Sequence, residues 1–160
     1  MPSVWRLSRT KHLATAWNGE GAKRAGGRWN SVGVRVVYAS ATLSLALVET
    51  LVHLPSGILP AYSAVPCEID ESLVEEIDPA DLPPVWKEYP PPREAQAIGD
   101  RWAAEARSAA LRVPSVIVPS EFNYVLNPAH PDFTRIRIGK PLPFPFDARL
   151  TAVHVAGPRR

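Results

Sequence analysis

The sequence predicts a mixed α+β domain, and three observations predict it. Two stretches, roughly 41–54 and 93–110, place apolar residues at helical spacing. Short β-branched runs lie before, between and after them, at 4–7, 34–39, 62–69 and 113–118. Clusters of glycine and proline separate these segments, with no internal repeat and no second regime of composition. At 160 residues the chain is expected to form one domain, 1–160, that buries about 70% of its unfolded surface without staples.

Val4-Trp5-Arg6-Leu7 reads as a short strand. Residues 18–33 hold Gly19, Gly21, Gly26, Gly27 and Gly33, more than half of the nine glycines, and read as a loop whose backbone can approach a ligand closely. Val34 to Ala39 reads as a strand, and Ser40 then offers an N-cap. From Ala41 to Leu54, Leu43, Leu47, Leu51 and Leu54 form one face of a helix, with Pro55 and Gly57 to end it. Glu49 and His53 are expected on its narrow polar stripe. Tyr62 to Ile69 is a strand that Pro66 marks as an edge or a bulge. Residues 70–92, acidic and then proline-rich, read as a long surface loop that stiffens the connection between two structured halves. Arg93 to Ala110 is a second helix with Ala95, Ile98, Trp102, Ala106 and Ala109 toward the core. Val113–Val118, Phe133–Ile138 and Phe144–Phe146 complete the strands.

Composition narrows the function. Hydrophobic residues make up 46% and charged residues 21%, the balance of a soluble globular protein. A single cysteine, Cys67, excludes an internal disulfide and suits a reducing compartment. The four histidines are scattered and show no metal-ligand spacing, so no metal is expected. No basic-then-apolar leader opens the chain and no apolar run approaches the roughly 18–20 residues that span a bilayer, so a cytoplasmic location is expected and no membrane contact. A net charge of +2 is too small to argue for direct nucleic-acid binding. The positive charge is nevertheless concentrated: Arg6, Arg9, Lys11, Lys23, Arg24, Arg28 and Arg35 face only Glu20 over the first 35 residues. That is either a solvated basic surface or a funnel for an anionic ligand.

Four residues carry most of the chemical interest. Arg28 follows Gly26-Gly27, where a guanidinium can fork onto phosphate beside exposed amides; the alternative is a surface arginine in a flexible loop. Tyr38 sits at the end of a strand, as a core tyrosine or as a face for a positively polarised ring. Glu49 is a carboxylate among Leu45, Leu47, Val48, Leu51 and Val52, either on the solvent stripe or lining a pocket, where its charge would suit an oxocarbenium-like transition state. Ser115 has no Gly-x-Ser-x-Gly elbow, so hydrogen bonding to a ligand is favoured over nucleophilic attack, with Ser120 a rival. Glu121 to Pro128 adds two amides, Asn123 and Asn127, as hydrogen-bonding groups or turn formers.

The order and phrasing of these motifs resemble the RES family. Gly26-Gly27-Arg28-Trp29-Asn30-Ser31-Val32-Gly33, Val37-Tyr38-Ala39-Ser40 and Ala46-Leu47-Val48-Glu49-Thr50-Leu51-Val52-His53 are similar to the N-terminal half of a RES domain. Leu111-Arg112-Val113-Pro114-Ser115 and Phe122 to Phe133 are similar to its C-terminal half, so the match runs from about residue 4 to residue 150. The resemblance implies an ADP-ribosyltransferase-like split β-sheet core with flanking helices and a toxin of a bacterial toxin–antitoxin pair that consumes NAD as substrate. Arg28 would hold the polar or phosphate parts of NAD, Tyr38 would face the nicotinamide, Glu49 would act at the ribose, and Ser115 would be the family serine. Asn30 and Asn127 join the expected NAD contacts. The implied partner is an antitoxin with an Xre-like helix-turn-helix domain that blocks the active site and supplies the only contact with DNA. The acceptor of ADP-ribose, a target protein or water and phosphate, stays open, and a non-catalytic nucleotide- or protein-binding module is the alternative.

Overall fold

A computed structural model describes residues 3–54 and 59–150. Among the described residues the strands and main helices follow in the order β1 (Ser3–Arg9), α1 (Glu20–Ala25), β2 (Val37–Ser40), α2 (Leu43–Leu51), β3 (Tyr62–Glu68), β4 (Val74–Glu76), α3 (Arg93–Ala104), β5 (Ala110–Pro114), β6 (Phe122–Leu126), β7 (Arg137–Ile138) and β8 (Leu142–Phe144). The expected α+β class holds. The strands run β4-β5-β6-β2-β1-β3-β7, with β8 also on β3. Among the described strands only β4 and β5 pair in parallel.

The sheet is split in the middle. β1 and β3 pair along seven positions from Ser3↔Glu68 to Arg9↔Tyr62, and β2 and β6 pair from Val37↔Leu126 to Ser40↔Asn123. Between these halves, β1 meets β2 only through Trp5↔Ser40. Beyond that point the Arg6 side chain takes over, and its Nη1 donates to the Tyr38 carbonyl at 2.8 Å.

The central strands are buried on both faces, which is why they read as apolar runs rather than alternating ones. Leu111, Val113 and Val125 pack with Trp29, Val36, Ala95 and Trp102 on the α3 side. Ala110, Tyr124 and Leu126 pack with Val4, Val37, Ala39, Cys67 and Ile69 on the other. Pro66 lies where β3 passes from β8, at Ala64↔Leu142, to β7, at Cys67↔Ile138. A missing N–H costs no ladder bond in that gap, and the Pro66 carbonyl still accepts from Gly139 N at 2.7 Å.

Several local expectations change. The Gly-rich stretch contains α1, because Asn18 Oδ1 accepts from Glu20 N, Ala22-Lys23-Arg24-Ala25 favours helix, and Gly26 at φ +70° ends it. Thr42, not Ser40, caps α2, accepting from Leu45 N at 3.1 Å. Pro55 and Gly57, the expected stop of that helix, lie outside the described residues. The 70–92 segment is not structureless: β4 extends the sheet. The second helix ends at Ala104, so Ala106 leaves the core face and is exposed with φ +49°. β5 ends at Pro114, and the Asn123 segment is itself a strand. The first half of the Phe133–Ile138 run belongs to a 3-10 turn, Pro131–Arg135, before the short β7.

Candidate active site

Glu49 enters the site because α2 packs on the split sheet. Leu45 and Ala46 are its buried residues, and Glu49 follows them by four and three positions, on the same side of the helix. The carboxylate therefore points toward the strands rather than lying on a solvent stripe. Its Oε1 accepts from Ser115 Oγ at 2.7 Å and from Asn123 Nδ2 at 2.8 Å. Among the described residues Oε2 has no hydrogen-bond partner. His53, one turn on, is exposed and makes no hydrogen bond to Glu49.

Ser115 stands one residue beyond β5 and is fully buried. Its oxygen accepts from Ile117 N and Val118 N, each at 3.1 Å, so its single proton is directed at Glu49. Ser120 is exposed. Asn123 reaches Glu49 from β6, and its Oδ1 accepts from Ser40 Oγ on β2 at 2.7 Å. Ser40, Asn123, Ser115 and Glu49 thus form one connected polar network in an otherwise apolar interior.

Arg28 and Tyr38 belong to a second set of contacts, built on the Gly-rich segment. Arg28 is half-buried, and its Nη1 donates to the carbonyls of Trp86 and Glu88, both at 2.7 Å. Burial pulls the pKa of its guanidinium down, and the charge of Glu49 opposes that shift. Tyr38 Oη donates to Asn30 Oδ1 at 2.6 Å and accepts from Trp29 N at 3.1 Å. Burial raises the phenol pKa, so the hydroxyl stays protonated. Asn30 is wholly buried and spends its Nδ2 on the carbonyls of Ala22, Ser31 and Val34. It ties the Gly-rich loop together under Arg28. Gly27 permits this, since a Cβ there would stand 2.7 Å from Tyr38 Oη and 2.9 Å from Asn30 Oδ1. Asn127 lies away from this network, donating to the Ala103 carbonyl at 3.2 Å and accepting from Ala129 N at 3.0 Å.

The RES domain profile matches residues 3–147. The chain belongs to the RES domain family. The Toxin Res of Yersinia enterocolitica (serotype O:8 / biotype 1B) is 39% identical, over 92% of this chain and 98% of that protein. The Prs ADP-ribosylating toxin of Sphingobium sp. (strain YBL2) is 42% identical, over 92% and 96%. Among solved structures, the M. tuberculosis MbcT–MbcA toxin–antitoxin complex contains a chain that superposes with a TM-score of 0.70 at 16% identity, covering 96% of this chain and 88% of that one. That likeness shows the fold.

Within this RES domain, the structure adds groups that the sequence reading did not assign. Arg6 lies at the seam of the sheet as a half-buried residue, its buried Nε without a hydrogen-bond partner among the described residues, and its pKa pushed down to about 10 by desolvation. A cation in the apolar phrase Val4-Trp5-Arg6-Leu7 was the available signal. The carbonyls of Trp86 and Glu88, which hold Arg28, come from the proline-rich segment read as a spacer. Trp86 also stacks on Trp29, with ring centroids 6.0 Å apart. Ser40 was read as a helix cap and Asn123 as a generic amide; their pairing across β2 and β6 joins both to Glu49. Among the described residues no group of three or more His, Cys, Asp or Glu is placed to hold a metal, and no helix is long and apolar enough to cross a membrane.

Proposed function

We propose that this chain is the toxin of a bacterial toxin–antitoxin pair, which cleaves the nicotinamide–ribose bond of NAD and passes ADP-ribose to an acceptor. The observation that carries the reading is Glu49, with one oxygen held by Ser115 and Asn123 and the other without a hydrogen-bond partner among the described residues. In the reaction, the bond between ribose C1′ and the nicotinamide nitrogen breaks and its electron pair leaves with neutral nicotinamide. The ribosyl cation left behind is stabilised by the free Glu49 oxygen. The acceptor attacks C1′ and loses a proton. Nicotinamide leaves uncharged, so no second carboxylate is needed as general acid, in contrast to paired-acid glycosidases. Arg28 provides the positive charge for the pyrophosphate and Tyr38 the aromatic wall beside the nicotinamide. Ser115 acts through Glu49, and Asn30 acts through Tyr38 and the loop beneath Arg28.

The acceptor we favour is a protein, and the relative at 42% identity, named Prs ADP-ribosylating toxin, supports that choice. Water or inorganic phosphate, with depletion of NAD, is the other outcome of the same chemistry. An antitoxin partner, an Xre-like helix-turn-helix protein that covers the cleft, follows from the family resemblance, and a cytoplasmic site of action from the use of NAD. The test is incubation of the purified protein with labelled NAD, with and without lysate and phosphate. Release of nicotinamide with label on a discrete protein supports transfer to a protein. Release without labelling supports hydrolysis, or phosphorolysis if phosphate accelerates it. NAD binding without release would leave a binding module instead.

A further inference from the structure

Glu49 receives its two donors from different elements, Ser115 just after β5 and Asn123 within β6. A serine hydroxyl whose oxygen already accepts two amide protons has one possible direction for its own. A primary amide is different. It has a donor side and an acceptor side of equal shape, and the wrong side would set Oδ1 against the carboxylate. Something must choose between them. Ser40 does: its Oγ donates to Asn123 Oδ1 at 2.7 Å, which turns Nδ2 toward Glu49. Ser40 is only 4% exposed, so bulk water is not at hand to replace it. The two residues are register partners in the β2–β6 ladder, so backbone hydrogen bonding sets their spacing.

We infer that Asn123, oriented by Ser40, is a positioning residue that fixes the carboxylate plane of Glu49 and so aims the free oxygen at the ribose. The inference rests on the NAD reading above and deepens it. With Oε1 held from β6 and from the residue that follows β5, rotation of the carboxylate about its terminal bond is opposed and the negative charge is presented through Oε2. Among the described residues the Asn123 amide bonds only Glu49 and Ser40, so its effect is on the bond-breaking step and not on capture of the nucleotide. Arg28 is the other charged group in this field.

The experiment measures kcat and KM for nicotinamide release from NAD, across a pH series, for the wild type and for Asn123→Ala, Asn123→Asp, Ser40→Ala and Ser40→Thr, with thermal melting to confirm the fold of each. Asn123→Ala is expected to lower kcat about 10- to 100-fold with KM within about twofold, the pattern of an interaction made in the transition state. In Asn123→Asp, two carboxyl groups within hydrogen-bond distance share a proton, so the introduced group donates to Glu49 at low pH and repels it at high pH. Activity of that isosteric variant should recover on acidification, a response that Asn123→Ala cannot show. Ser40→Ala should lose part of kcat and Ser40→Thr, which keeps the hydroxyl, should regain it. Unchanged kcat in Asn123→Ala, losses confined to KM, or a wild-type pH profile for Asn123→Asp would overturn the assignment while leaving the NAD reading intact. Absence of nicotinamide release from the wild type itself would overturn both.

Discussion

At the scale of single residues, the site is a carboxylate whose environment matters more than its identity. Glu49→Gln keeps the volume and removes the charge, so nicotinamide release is expected to fall by at least about 100-fold. The melting temperature should stay near that of the wild type, because the substituted group is only half-buried. A variant that melts normally and still turns over NAD at the wild-type rate would remove Glu49 from the mechanism. Arg28→Lys tests a different property. A lysine carries the charge but cannot fork, and it must replace a group that bridges two carbonyls, so the expected result is a raised KM for NAD in steady-state kinetics. Arg28, Tyr38, Glu49 and Ser115 were recognisable as residues in the sequence, because a lone polar group in an apolar or glycine-rich phrase has no local reason to be there. Their partners were not. Asn123 is 74 residues from Glu49, and nothing local marks it as a carboxylate donor.

At the scale of elements, two positions show how local geometry builds the site. Thr42 caps α2, the helix that carries Glu49, and Thr42→Ala should cost about 1 kcal/mol in denaturant unfolding. Gly99 in α3 has its backbone against the Trp29 carbonyl, and a Cβ there would fall 1.7 Å from that oxygen. Gly99→Ala must push α3 away from the segment that presents Arg28, so a loss of about 1–3 kcal/mol in stability is expected, together with reduced activity. Equal unfolding midpoints for Gly99→Ala and wild type would contradict that packing. The helices α2 and α3 were legible because their periodicity is a local signal. α1 was hidden by its glycines, and β4 and β6 by their acidic or amide composition. These elements form because a neighbouring strand or a capping side chain is in place, and such partners are distant in sequence.

At the scale of the whole molecule, burial of titratable groups makes stability depend on alkaline pH. Burial pushes the Cys67 thiol up to about 12 from its ordinary 9, and Tyr38 is also raised. A group with a raised pKa keeps its proton when folded and loses it when unfolded, so its stabilisation is complete below pH 9 for Cys67 and is lost as pH rises toward 12. Arg6 has the opposite sign. Pulled down to about 10, it sheds its proton in the folded state first, which relieves its burial only above that pH. The interval between pH 9 and 10 therefore reports chiefly on Cys67. The melting temperature should decline there, and Cys67→Ala should flatten the decline. The same burial predicts that thiol reagents label Cys67 at the rate of unfolding rather than on mixing.

The sequence by itself determined the α+β class, the two main helices, the RES resemblance and the identity of the residues with chemical potential, since all of these reside in local composition, spacing and motif order. The tertiary structure alone decided how Glu49 is held. Ser115, Asn123 and Ser40 converge because β2, β5 and β6 are adjacent in the sheet, and strand adjacency is set by long-range pairing that no window of sequence contains. It also decided that Asn30 bonds backbone carbonyls and the Tyr38 hydroxyl, that Asn127 bonds a carbonyl and an amide of the following turn, and that the proline-rich segment supplies the oxygens that hold Arg28. A polar side chain satisfies its hydrogen bonds with whatever folding brings within about 3 Å, and only the folded chain specifies that neighbourhood.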